Sequence, residues 1–164
     1  MKVIADLHIH SRFSRACSKQ LTLPSIAAWC AVKGIDVVAT GDFTHPQWRV
    51  EMSEELKECA EGIFCLRGGA REIVTSPSAP RNDTGSDTRF VLGTELSCIY
   101  KHDGKTRRVH HLVLAPSLAA VDRIIAALEQ RGCNLRADGR PILGLSSHDL
   151  LTICLEADAR TLLI

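Results

Sequence analysis

The first 42 residues constrain the fold more than any other stretch, because they read as strand, helix and strand with polar side chains gathered where each strand ends. Val3-Ile4-Ala5-Asp6-Leu7-His8-Ile9-His10 has a strand's alternation, which sends Asp6, His8 and His10 to one face and leaves Ile4, Leu7 and Ile9 to find apolar partners. After a polar loop, Leu23-Pro24-Ser25 opens a helix whose Ile26, Ala27, Trp29, Cys30 and Val32 form a stripe closed by Gly34. Ile35-Asp36-Val37-Val38-Ala39-Thr40 follows as a short β-branched run, so the segment reads as a β-α-β unit with parallel strands. In parallel α/β folds, chemistry collects at the carboxyl ends of the strands.

Two such ends are visible. One carries His8 and His10; the other is Thr40-Gly41-Asp42-Phe43-Thr44-His45-Pro46, which brings a carboxylate and an imidazole to the same edge. Neutral imidazoles two residues apart can reach one metal ion, and an adjacent carboxylate can orient a ring or supply charge. The same pattern also fits a pair of hydrogen-bonded or exposed histidines, Asp42 also fits a turn or helix cap, and His45 a loop position. The rest of the chain has to decide.

Glu51 to Glu61 reads as a solvated helix with Met52, Leu56 and Cys59 inward. From about 70 to 88 periodicity gives way to Ser, Pro, Gly, Asn and Asp, the composition of a mobile surface loop inserted into one domain. Arg89 to Tyr100 resumes as a strand with Glu95 embedded among apolar residues, where a carboxylate must be paired, protonated or bound to a cation. Asp103-Gly104 marks a hairpin turn into Arg107–Leu114, and because strand neighbours face opposite ways only one of His110 and His111 points to the Glu95 side. Ser117 caps a helix with Leu118, Val121, Ile124, Ile125 and Leu128 as its stripe, ending at Gly132. A last helix is expected over Ser147–Ala157, with a strand beginning at Thr161.

The 164 residues, 45% hydrophobic, suffice for one core, and a formal charge of +1 excludes any argument for a polyanionic partner from overall charge. Local charge carries it instead. Arg12, Arg15 and Lys19 follow the HxH strand and could clamp a phosphate, and Lys101, Lys105, Arg107 and Arg108 form a basic hairpin; solvated surface charge explains either group as well. Seven cysteines without a CxxC pair read as reduced, largely core thiols, and with no 18-residue apolar run and no charged-then-apolar leader the expectation is a cytoplasmic protein with no membrane contact.

Taken in order, Asp6-Leu7-His8-Ile9-His10-Ser11, Thr40-Gly41-Asp42, Gly93-Thr94-Glu95 and Val109-His110 resemble the PHP (polymerase and histidinol phosphatase) superfamily. The strings His10-Ser11-Arg12-Phe13-Ser14-Arg15-Ala16, Gly41-Asp42-Phe43-Thr44-His45-Pro46 and Arg107-Arg108-Val109-His110 resemble its endonuclease Q group. The resemblance implies an α/β fold, a distorted (β/α)7 barrel truncated here to about its first four β/α units, with residues 1–164 as the N-terminal portion of a PHP domain. It implies up to three divalent ions, zinc first, with manganese or magnesium as alternatives. His8 and His10 would hold one ion, Glu95 would bridge two as the catalytic carboxylate, His110 would hold the second, and Asp42, or less directly His45, would serve a third. Such a pair of ions lowers the pKa of a water from ~15.7 toward ~7 and so generates the nucleophile.

Two departures stand out. Arg15-Ala16-Cys17 occupies the place of an extra family histidine, and Thr40-Gly41-Asp42 replaces a Thr-Asp-His string. The family's second half supplies a further histidine past the Leu162-Leu163-Ile164 strand and a late Asp-x-His, so the expected partner is either a missing C-terminal half or a second copy of the chain. The implied activity is metal-dependent phosphoester hydrolysis, as part of a DNA repair endonuclease cutting 5′ to deaminated bases or abasic sites in damaged DNA. The alternatives are a small-molecule phosphatase of histidinol-phosphatase type and an inactive, truncated remnant that binds metal or nucleic acid.

Overall fold

The computed structural model describes residues 2–68 and 88–164, so the loop expected over about 70–88 falls, but for Thr88, outside the described residues. Strand β1 (Ala5–Asp6), helix α1 (Leu23–Lys33) and strand β2 (Val37–Ala39) form the expected β-α-β unit, with Ala5 opposite Val37 and Asp6 opposite Val38 in parallel register. Thr22 and Ser25 cap α1 reciprocally, Pro24 sits in its first turn, and Gly34 closes it at φ 70°. β1 is much shorter than the Val3–His10 run. The His8 N–H turns back to Asp6 Oδ1 at 3.3 Å, which takes the chain out of the ladder and places His8 and His10 beyond the strand's carboxyl end.

The next segment corrects the reading of Glu51–Glu61 as one helix. Helix α2 runs over Pro46–Glu55, and Leu56–Ala60 is strand β3, paired antiparallel with β4 (Ile63–Leu66). Proline's fixed φ suits a first helical turn, so α2 begins earlier than the apolar period suggested. Leu56 is buried either way, and β4, itself paired with the next strand at Phe64–Phe90, recruits the following residues into the sheet. That hairpin brings Cys59 and Cys65 to a Cα separation of 6.0 Å, where they form a disulfide; the expectation of reduced thiols throughout is wrong for these two.

Strand β5 (Arg89–His102) is the spine. Its first residues pair with β2 and β4, and from Leu92 onward β6 (Lys105–Ala115) takes the place of β4 beside it. Farther along, β7 (Ile142–Leu143) lies parallel to β5 at Ser97 and Cys98, and β8 (Leu162–Leu163) pairs antiparallel with β6. Helix α3 (Leu118–Gln130) is capped by Ser117 as its sequence predicts, and α4 (Ser147–Ala157) by Ser146.

Among the described residues the result is a mixed, open eight-stranded sheet with four helices, in which β1, β3 and β8 lie at edges and no barrel closes. Alternation along β5 divides its faces. Phe90, Leu92, Leu96 and Cys98 point one way into a core shared with Val121, Ile124 and Leu128 of α3 and Leu150, Ile153 and Cys154 of α4. Burial pushes the thiols of Cys98 and Cys154 up to about 11 and about 12 respectively, as expected of small core residues. The opposite face of β5 carries Glu95 and Ser97.

Candidate metal centre

The segments following β1 and β2 lie against each other. Gly41 adopts φ 65°, and a Cβ there would stand 2.5 Å from the Ile9 carbonyl oxygen, so only glycine permits this approach. Trp48, fully buried on α2, donates its Nε1–H to the Gly41 carbonyl at 2.9 Å and holds the turn from beneath. Thr40 ties the same turn to β5 through hydrogen bonds with the Gly93 backbone. Sequence therefore fixes where His8, His10 and Asp42 emerge relative to Glu95.

Five side chains meet there. Glu95 is 4% exposed, and its Oε2 lies 2.8 Å from His8 Nε2 and 3.2 Å from His10 Nε2. Its Oε1 lies 2.6 Å from His110 Nδ1 and 3.4 Å from Arg140 Nη1. One carboxylate oxygen thus faces the HxH pair while the other faces His110. His111 points away, with Nε2 2.8 Å from Ser147 Oγ on α4, which resolves the alternation argument in favour of His110 on the Glu95 side. Burial works against the Glu95 charge, but the hydrogen bond from His8 and the charges of Arg140, His10 and His110 hold its carboxyl below the usual range.

Asp42 stands behind His10 and not among these groups. It is completely buried, with φ 48°, and its Oδ2 accepts from Ser11 N at 2.7 Å, Ser11 Oγ at 2.7 Å and Ser14 Oγ at 2.8 Å. Its Oδ1 is 3.1 Å from His10 Nδ1. Burial opposes its charge too, yet the hydrogen bonds from His10, Ser11 and Ser14 keep its carboxyl below the ordinary value, and its bond to His10 raises the imidazole pKa. The resemblance makes Asp42 a candidate ligand for a third ion; here its oxygens accept from His10, Ser11 and Ser14.

These contacts also test whether a metal suits the site. With Asp42 accepting at Nδ1, the neutral His10 tautomer carries its lone pair on Nε2, facing Glu95 Oε2. With His8 Nε2 deprotonated, nitrogens of His8 and His10 and an oxygen of Glu95, all within 4.8 Å of one another, form a group that could hold one cation. Two imidazoles and a carboxylate, one ring oriented by an outer carboxylate, is a donor set suited to zinc, manganese or iron.

The other expected residues lie apart. Arg12 is paired with Glu51 at 2.6 Å, and Lys19 Nζ donates to the Arg12 carbonyl. Arg12 and Lys19 line a cavity of about 560 Å³ with Phe13, Gln47, Val50 and Glu51, none of them a member of the imidazole cluster. Arg15 is exposed, its N–H bonded to Asp138. His45 is buried as the first residue before α2, stacked 4.2 Å from Phe13, and burial lowers its pKa. Asp6 lies outside the cluster, its carboxylate accepting from the His8 N–H.

Sequence reasoning missed Arg140, Ser11 and Ser14. Arg140 belongs to Asp138-Gly139-Arg140-Pro141, which composition marks only as a link. The segment is pinned across the site, with Gly139 N donating to the Phe13 carbonyl and the Pro141 carbonyl accepting from Ser97 N. Gly139 packs so tightly that a Cβ would stand 2.3 Å from Asp42 Oδ2.

No protein-family model matches the chain. It is 29% identical over 148 residues to uncharacterized protein MJ0043 of Methanocaldococcus jannaschii, an alignment covering 90% of this chain and 14% of that protein. Among solved structures, the lesion-specific endonuclease PfuEndoQ from Pyrococcus furiosus superposes with a TM-score of 0.74 at 31% identity, over 98% of this chain and 33% of that one. A structure of endonuclease Q with a 27-mer duplex carrying an abasic lesion at the active site gives the same TM-score and identity, over 98% of this chain and 34% of that one. The mixed α/β fold is thus similar to about a third of endonuclease Q.

Proposed function

We propose that this chain is the N-terminal part of a metal-dependent phosphoesterase of endonuclease Q type, acting on the DNA backbone 5′ to deaminated bases or abasic sites. The observation that carries the reading is the convergence of His8, His10 and His110 on the two oxygens of one buried carboxylate, Glu95. Likeness in fold to an endonuclease crystallised on a lesion-bearing duplex supports DNA as the substrate.

In this reading His8, His10 and Glu95 would hold one divalent ion, zinc in the first instance, and Glu95 with His110 would hold another. Ions so held supply Lewis acidity toward a phosphoryl oxygen and acidify a water. The protein's own work is positional. Asp42 fixes the His10 tautomer, Ser11 and Ser14 fix Asp42, and burial of Glu95 keeps bulk water from competing for its oxygens. Arg140 places a guanidinium beside Glu95, where a phosphate oxygen would find a fixed positive charge. Arg12, Arg15 and Lys19 serve the phosphates flanking the cut, although Arg12 must first exchange Glu51 for them.

The experiment is elemental analysis of the purified chain together with nicking of duplexes carrying uracil, hypoxanthine or an abasic site, and hydrolysis of a simple phosphomonoester. Zinc or manganese with lesion-dependent nicking, both lost in His8→Ala, is the expected outcome. Phosphomonoester turnover without nicking would make the chain a small-molecule phosphatase, and metal without any turnover an inactive remnant.

A further inference from the structure

The Glu95–His110 face of the β5–β6 ribbon does not stop at the metal centre. Its register is unbroken from Leu92–Ala115 to His102–Lys105, so side-chain direction can be read by parity along its whole length. Glu95, Ser97, Ile99 and Lys101 on β5 share a face with His110, Arg108 and Thr106 on β6. The other face carries Cys98, Tyr100 and His102 with Val109, Arg107 and Lys105. The twist of a two-stranded ribbon rotates these rows without exchanging them.

The two faces have different surroundings. The Cys98–Tyr100 side packs onto the core under α3 and α4, whereas the Arg108–Lys101 side is exposed and runs straight out of the centre. Successive same-face residues are ~7 Å apart, so Arg108 stands one such step beyond His110, and Lys101 a second step out on the neighbouring strand. Asp103, the carboxylate at the hairpin's tip, pairs with His102. Among the described residues no carboxylate pairs with Lys101, Lys105, Arg107 or Arg108. The turn is a tight two-residue one, with Asp103 at φ 50° and Gly104 at φ 70°, the geometry that Asp-Gly favours between paired strands.

We infer that Arg108 and Lys101 form a phosphate track that leads a nucleic-acid strand along the ribbon into the His8–His10–Glu95–His110 centre, while Arg107 and Lys105 on the reverse face do not contact it. The inference rests on the reading of DNA as substrate and adds where the strand lies. The occupant is argued from charge and continuity: the two uncompensated cations Arg108 and Lys101 stand at successive steps on the face that also carries Glu95 and His110, which the Arg107–Lys105 face does not, and they complement a polyanion reaching that site. Thr106, directly across from Lys101, adds a hydroxyl to the same row.

The test uses two charge-matched double variants, Lys101→Ala with Arg108→Ala and Lys105→Ala with Arg107→Ala. Each binds a fluorescently labelled duplex containing an abasic site, in the presence of chelator so that nothing is cut, across a salt series. The first variant should flatten the slope of log affinity against log salt by about 1.8, two contacts at ~0.9 each, and the second should leave the slope at the wild-type value. Equal flattening by both pairs would overturn the assignment of a face and leave DNA binding intact. Wild-type slopes in both variants would place the strand elsewhere and overturn the track. Absence of salt-dependent binding by the wild-type chain would overturn the track and the DNA reading together.

Discussion

Glu95 and Asp42 are both buried carboxylates at one rim of the sheet, and both are held below the usual carboxylate range against the opposing effect of burial. Their donors separate them. Asp42 is surrounded by a backbone N–H, two serine hydroxyls and one imidazole, groups whose protons point at it and have nowhere else to go. Glu95 is faced by three imidazole nitrogens, with Arg140 beside them, and an imidazole can give up its proton and ligate a cation. Two buried carboxylates of like charge thus sit in a scaffold filled with protein donors in one place and in a group that could hold a metal in the other. The kind of donor around a carboxylate, more than its burial, marks the chemistry it can do.

The comparison breaks most visibly at Glu95. Glu95→Gln keeps the side chain's shape and removes the charge between the histidines, so metal content should fall to background while the circular dichroism of the helices is unchanged. Asp42→Asn should act less on the metal and more on the fold. Loss of an outer partner weakens metal binding by about 10–100-fold, and replacing a charged acceptor of several buried hydrogen bonds should lower stability by about 2–3 kcal/mol. Competition with a chromogenic chelator and denaturant melts read the two effects separately. Asp42→Asn emptying the site as fully as Glu95→Gln would mean that the two carboxylates share one task.

How legible this division is in the chain can be judged from the same residues. His8, His10 and Glu95 stand out as an HxH pair and as an isolated glutamate in an apolar strand that demands a partner. Alternation leaves His110 and His111 open, and only the family resemblance points to His110. Because β1 ends at Asp6, alternation does not account for where His8 and His10 lie. The α1 and α3 caps and the Asp103-Gly104 turn were readable because each uses a residue with a local conformational reason. The end of α2 was not, since Leu56 satisfies a helical stripe and a strand equally, and only its pairing with Leu66 decides. The Cys59–Cys65 bond follows from that hairpin and was hidden with it. Arg140 and the serines under Asp42 were hidden because a polar link carries no periodicity to say which way its side chains turn.

Gly139 tests the scaffold without touching any of its polar groups. In Gly139→Ala the new methyl would stand 2.3 Å from Asp42 Oδ2 and 2.6 Å from Ser14 Oγ, so one of them must move. The expected cost is about 1–3 kcal/mol in a denaturant melt, with a loss of metal affinity smaller than in Asp42→Asn because the Asp42 charge survives. A wild-type melt would mean that the Asp138–Pro141 segment yields freely and does not clamp the carboxylate.

Ser14→Ala should give the smallest effect, and its size discriminates between two accounts of Asp42. If the carboxylate were held mainly by its pairing with His10, removing one hydroxyl would leave its position unchanged and cost almost nothing. If it is held by the full set of donors, the loss of Ser14 Oγ removes one of three bonds to Oδ2 while the two from Ser11 remain. About 1 kcal/mol of stability should then be lost. Because Ser11 and His10 still fix the orientation of the ring, metal affinity should stay near the wild-type value. A variant that loses metal as readily as Asp42→Asn would show that Ser14, 3.3 Å from His10 Nδ1, orients the ring directly and competes with Asp42 for that nitrogen.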